Sequence, residues 1–335
     1  MDFGWARIDL QKLNFCRSKD PRSAYPKHMQ TCISNKRLRS GFTLIELMVV
    51  VGILIILASI LIPTVSSAFR AARSKKDLTQ QRGIYQSMVL YSTGNDGKFP
   101  LPSEIVDEKN PDASINTTSA LMSWMVMQRF FDFSNTFSPV ETNPNIRVIS
   151  GGDGINGTDS DFPYNFDIYD GSLYHWDPDF NADFTQSVAH NSYAHQALVG
   201  QRNRLKWHSG SGATDVIICN RGPELVVSPT ELTVVDQFQD GIRKTYTFGF
   251  HGPHEQWEGA GVTGDGSAKM LPSYINTDIT YSPLDGSPLR PDILFSAEFG
   301  DVDPDNAMAS GDNWIIVTSN DTTTFTENET VPIWD

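Results

Sequence analysis

A lone carboxylate interrupts an apolar run in Gly41-Phe42-Thr43-Leu44-Ile45-Glu46-Leu47, five residues after a glycine. The run continues to Ile62, twenty-one residues counted from Phe42. About twenty apolar residues in a helix span the hydrocarbon of a bilayer. An ionised carboxylate there costs roughly 2.5–3.5 kcal/mol on insertion scales, so Glu46 requires a partner. Other residues invite metal or nucleophilic chemistry. Asp301, Asp303 and Asp305 alternate, and Asp312 is twelfth counting from Asp301. Alternating carboxylates of this kind can wrap calcium. Here Asn306 stands where such a loop turns on glycine, Asp312 replaces the bidentate glutamate, and Pro304 stiffens the turn. These departures favour a solvated acidic turn, with calcium on the four aspartates as the metal reading. His251, His254 and Glu255 do not fit a zinc helix, which needs histidines four apart, and Gly252-Pro253 opposes a helix. We read His251 as structural. Ser209-Gly210-Ser211-Gly212 lacks the glycine spacing of a nucleophile elbow. Cys219 reads as a buried small hydrophobe. No catalytic residues are assigned.

The elements that must position Glu46 follow from charge and periodicity. The chain has 335 residues and a net charge of −14. Residues 1–41 hold nine Lys/Arg against three Asp, so the remainder carries −20. That acidity argues against nucleic acid as a partner and for a solvated head. The basic excess holds the N-terminal side in the cytoplasm by the positive-inside rule. Residues 42–62 form the membrane part of a helix, with a break or kink expected at Pro63. Residues 63–94 continue it as an amphipathic stretch, with Val65, Ala68, Phe69 and Ala72, then Ile84, Met88 and Tyr91, at helical spacing. Gly94-Asn95-Asp96-Gly97 ends it. Arg70, Arg73, Lys75, Lys76 and Arg82 form a solvated face or meet acidic groups of a neighbouring subunit.

Residues 95–335 form the head. A short helix is expected over Ser119–Phe131, capped by Ser119. Strands are expected at Val216–Cys219, Leu232–Val235, Lys244–Phe250, Ile293–Phe295 and Trp314–Thr318, the third from its clean alternation. Residues 150–184 read as a loop insertion. The architecture is α+β: a long N-terminal helix packed on an antiparallel β-sheet.

The basic leader, the glycine before an aromatic, and Thr-Leu-Ile-Glu resemble the processing site of type IV prepilins and type II secretion pseudopilins. The resemblance implies cleavage by a prepilin peptidase after Gly41, methylation of the Phe42 amine, and assembly into a filament on an inner-membrane platform. The mature chain then retains only Cys219, so no internal disulfide is available. A 41-residue leader is long for the family, and a start at Met29 gives a more usual length. A second resemblance, to large pseudopilin-like proteins, rests on His251-Gly252 and Gly264-Asp265-Gly266-Ser267-Ala268-Lys269. Some pseudopilin heads bind calcium, which bears on Asp301, Asp303, Asp305 and Asp312. The expected function is a structural filament subunit, single-pass in the inner membrane with its head periplasmic. In the alternative, the helix serves export or display of a surface binding protein, whose face is Tyr164, Phe166, Tyr169, Tyr174 and Trp176. Exposure of those aromatics favours binding; burial favours a structural insertion.

Overall fold

The computed structural model describes residues 42–148, 164–185, 187–198, 200–227, 232–235, 245–251, 256–283, 286, 288–297, 311–318 and 332–334. The chain forms two units, residues 1–58 and 59–335. Helix α1, Leu44–Ser92, contains Pro63 and runs on through it. The Thr64 and Ser66 hydroxyls donate to Leu61 O and Ile62 O, both at 2.8 Å. Such back-bonding keeps hydroxyls satisfied on a helix without water. Leu, Ile and Val side chains from Leu44 to Ile62 are all exposed. From Asp77 onward one stripe is buried: Asp77, Gln81, Ile84, Tyr85, Met88 and Ser92, at the three-and-four spacing of one helix face. The helix stops as expected: Gly97, at φ +79°, donates its N–H to Ser92 O at 3.0 Å.

The head of residues 59–335 is built on a six-stranded antiparallel sheet. In chain order its strands are β1 Tyr193–Gln196, β2 Val216–Asn220, β5 Gly259–Thr263, β6 Ala268–Leu271, β9 Ile315–Thr318 and β10 Pro332–Ile333, in spatial order β10-β9-β1-β2-β5-β6. Two hairpins stand apart: β3 Leu225–Val227 with β4 Leu232–Val234, and β7 Ile275–Tyr281 with β8 Arg290–Ile293. This is the α+β, pilin-like arrangement. Tyr193, Ile218 and Val262 face α1 and the buried helix α3, Thr118–Met127. Ala194, Val216, Cys219, Ile315 and Val317 face the other side, with Phe295 and Trp257. Cys219 is fully buried in that second core, where burial pushes its thiol well above the usual range. Asp265-Gly266 makes the hairpin turn between β5 and β6, with Gly266 at φ +78°.

Three expectations are corrected. The cap of α3 is Thr117, whose hydroxyl accepts Ala120 N–H at 3.2 Å, because the helix begins one residue before Ser119. The expected strand at Lys244–Phe250 is not formed by its described residues, 245–250: Tyr246–Gly249 is a 3-10 turn capped by Thr245, whose side chain outcompetes the ladder for Thr247 N–H. Leu294 and Phe295 follow β8 as buried turn residues. The expected strands at 216–219, 232–235 and 314–318 are present. Strands β1, β5, β6 and β7 went unread because small or polar residues such as Ala194, His195, Gly259 and Gly261 fill them.

Polar residues fasten the elements. Asp77 of α1 is fully buried, and its carboxylate accepts Tyr193 Oη at 2.9 Å, Gln81 Nε2 at 3.1 Å and the Ser138 hydroxyl. His251 Nε2 lies 3.4 Å from the same carboxylate and 3.2 Å from Asn220 Oδ1, while its Nδ1 meets the Ser74 hydroxyl at 2.7 Å. His251 is therefore the structural histidine expected. On β1, fully buried His195 donates from Nδ1 to Gln196 O at 2.9 Å and accepts the Thr118 hydroxyl on Nε2 at 2.9 Å. Thr118 and Thr318 exchange backbone-to-hydroxyl bonds, both at 2.8 Å, and tie α3 to β9.

Removing the carboxylate that Tyr193, Gln81 and Ser138 share leaves buried donors unsatisfied and costs about 1–3 kcal/mol. Asp77→Ala is expected to destabilise the head by about that amount in chemical denaturation. Burial also lowers His195 to about 4. Its folded value is depressed, so the unfolded chain binds the extra proton between the ordinary value of about 6.5 and about 4. Stability is lost as pH falls through that window, by about 3 kcal/mol for this group. A His195→Gln variant will show a flatter fall in melting temperature from pH 7 to pH 4 than the parent.

Candidate functional site

Three residues, Thr43, Glu46 and Leu47, set the geometry at the start of α1. Thr43 precedes the first helical residue, and its C=O accepts Leu47 N–H at 3.2 Å, closing the first turn. Its hydroxyl lies 3.3 Å from Glu46 N. Glu46 reaches back: its Oε2 accepts both the N–H and the hydroxyl of Thr43, each at 2.8 Å. Thr43 and Glu46 thus form a capping box. Donors that would otherwise be unsatisfied in hydrocarbon are paired within the motif, and the negative charge sits at the positive end of the helix dipole. This reciprocal role of Thr43 was missed in the sequence, although Thr-x-x-Glu before an apolar run is its signal. Glu46 Oε1 has no hydrogen bond among the described residues, and Phe42 is 82% exposed. One carboxylate oxygen is held by the helix itself and the other is open to a donor from outside. Gly41 and the leader lie outside the described residues.

The other candidates fall elsewhere. Asp301, Asp303 and Asp305 lie outside the described residues, as do His254 and Glu255. Asp312 is buried and ion-paired with Arg202, and the neighbouring Lys206 Nζ bonds Gly311 O and Asn313 Oδ1, both at 3.1 Å. Among the described residues no three His, Cys, Asp or Glu converge in a metal-binding group. Ser74, His251 and Asp77 lie in a Ser–His–Asp order, but the carboxylate is engaged by Ser138, Tyr193 and Gln81 and the set holds α1 to the sheet.

The aromatic segment divides. Tyr164 is core: it donates to Ser123 O at 2.6 Å, and burial raises its hydroxyl to about 12. Phe166 is half-buried beneath Arg129, whose guanidinium stands 3.5 Å from the ring centre, and Trp176 is half-buried. Tyr169, Leu173 and Tyr174 are exposed. They flank a turn fixed by Asp170, whose Oδ1 accepts the N–H groups of Ser172, Leu173 and Tyr174 at 2.8, 2.8 and 3.0 Å. Those bonds hold the Asp170 carboxyl down to about 2.

Residues 36–62 match the family model of the prokaryotic N-terminal methylation motif. Neither a curated protein nor a solved structure matches the chain. The matched segment ends at Ile62, the last residue of the unbroken apolar run, and contains the Thr43–Glu46 box. With that motif on an apolar helix long enough to cross a membrane, and an antiparallel head behind it, the chain is a type IV prepilin-like protein.

Proposed function

We propose that this chain is a structural subunit of a pseudopilin or type IV pilus-like filament and performs no catalysis. The methylation motif at residues 36–62 carries the reading. A prepilin peptidase cleaves after Gly41, and the new Phe42 amine is methylated. Residues 42–62 then anchor the subunit in the inner membrane with the head periplasmic, and a bend at Pro63 adjusts the helix on assembly. Other pilin-like subunits and an inner-membrane assembly platform are the partners. The membrane part exposes its apolar side chains on every side, and sister helices replace lipid around it.

Glu46 sets the register. Oε2 stays with Thr43, and Oε1 takes the N-terminal ammonium of Phe42 from a neighbouring subunit. Burying either charge alone in a helical bundle is costly; together they offset much of that cost, and only the matched register lets them meet.

A second reading, display of a surface binding protein, is favoured by the exposed Tyr169, Leu173 and Tyr174 on their fixed turn. It calls for ligand binding that Tyr169→Ala with Tyr174→Ala abolishes while filament incorporation is unchanged.

Mass spectrometry of membrane-extracted protein, with and without the peptidase, tests the processing step. The expected mature terminus is methylated Phe42; a product retaining Arg39 and Ser40 refutes it. Glu46→Ala should be processed normally yet enter filaments about tenfold less, the effect of losing about 1.4 kcal/mol of contact energy per subunit. Normal incorporation of that variant in sheared filaments would remove the register role.

A further inference from the structure

The part of α1 beyond the membrane carries five exposed cations: Arg70, Arg73, Lys75, Lys76 and Arg82. None of them forms an ion pair among the described residues, and the helix's own carboxylate there, Asp77, is buried in the head. The chain after α1 has 35 Asp/Glu against 12 Lys/Arg, a net charge of −23. Heads of that charge repel one another when identical copies are packed side by side. The cations on the helix are the complement the same molecule supplies.

Position selects which cations and which acids meet. Lys75 and Arg82 are seven residues apart and share one side of α1. Tyr91 is nine residues beyond Arg82, about two and a half turns, and so faces the opposite side about 14 Å further along the axis. Tyr91 meets Trp124 of α3 edge-on at 5.3 Å, and the short helix Pro102–Val106 packs beside α3 on that side; burial, and then Glu104 and Glu108, raise the Tyr91 hydroxyl. The acidic segment that follows helix α2, Pro102–Val106, therefore lies on the side away from Arg82. Glu104 there is paired with Lys98 at 3.1 Å. Asp107, Glu108 and Asp112 are exposed. Asp107 Oδ1 accepts Lys109 and Asn110 N–H at 2.9 and 3.2 Å, and Asp112 Oδ1 accepts Ser114 N–H at 2.9 Å, which fixes both carboxylates in place. Complementary patches on opposite sides of one subunit generate a head-to-tail contact that propagates into a fibre.

We propose that the Lys75–Arg82 side of α1 docks on the Asp107–Glu108–Asp112 segment of a second copy of this chain, staggered along the filament. The proposal rests on the filament reading above and adds the partner surface. Lipid headgroups are the other acidic surface available. Lys75 lies about 20 Å and Arg82 about 30 Å beyond Ile62 along the helix, whereas a headgroup layer is about 5–8 Å thick and screening limits reach to about 8 Å more. Arg82 is out of range of lipid and within range of a neighbouring head.

The test uses the full chain, processed in cells. Co-expressed Arg82→Cys and Glu108→Cys subunits form a disulfide-linked dimer under mild oxidation, and neither forms one alone; Cys219, being buried, does not compete. Lys75→Glu with Arg82→Glu lowers incorporation into sheared filaments about tenfold at equal subunit abundance and processing, as does Asp107→Lys with Glu108→Lys, and the two sets combined restore it to within about threefold. Undiminished incorporation of both reversals, or absence of the cross-link in assembled filaments, overturns the proposal. So does a reversal that alters only binding to anionic vesicles. If the parent chain is processed but found in no filament, the filament reading fails on its own, and the cross-link measured in membranes still decides this contact.

Discussion

One helix has to satisfy two solvents. The Leu44–Ile62 part of α1 exposes Leu, Ile and Val on every side, as lipid or a bundle of like helices demands. The part from Asp77 to Ser92 buries one stripe and leaves the rest to water. No single amphipathic pattern serves both, so the sequence changes character along one continuous element. Polar groups mark where each regime begins. Thr43 and Glu46 close the first turn in the apolar part, and Asp77 begins the contact with the sheet. Each meets the same requirement, that a polar group removed from water find its partners within reach.

The head answers that requirement by threading hydrogen bonds through its core. Thr118, His195 and Thr318 join α3, β1 and β9 across long sequence separations. Arg221 pairs with Glu141 at 2.6 Å in another buried contact, and its guanidinium also stands over the Phe184 and Phe250 rings. Apolar packing fills the space between. Trp207 and Tyr85 meet Phe99 edge-on, which seats the chain where it leaves α1. These geometry-dependent contacts give the head a single arrangement in place of a loosely packed one.

Charge is distributed with the same division. The chain after α1 carries a net charge of −23, while α1 carries five cations against two carboxylates, Glu46 and Asp77. A filament of such subunits needs attraction strong enough to offset head repulsion, and oily helices supply it without regard to rotation or stagger. In the filament we propose, charged groups at fixed heights, Glu46 near one end and Lys75 and Arg82 further on, supply the register that hydrophobic contact lacks.

Much of this was legible without coordinates. The apolar run with its single carboxylate, its basic flank and the Gly94–Gly97 stop depend on local spacing and composition, so the helix, its ends and the family motif could be read residue by residue. The strands at 216–219 and 314–318 were equally plain, being short apolar runs of β-branched residues. Tertiary structure alone decided the rest. Asp77 sits among basic residues in a stretch that reads as solvated, yet it is buried, because Tyr193, Ser138 and His251 come to it from 61 to 174 residues away. Lys244–Phe250 alternates like a strand but turns, since Thr245 offers its own hydrogen bond. The strands of Ala, His and Gly at the heart of the sheet owe their state to their neighbours on both edges. Local pattern fixes what a segment can bury; which polar groups are buried depends on partners that only the folded chain brings within hydrogen-bonding distance.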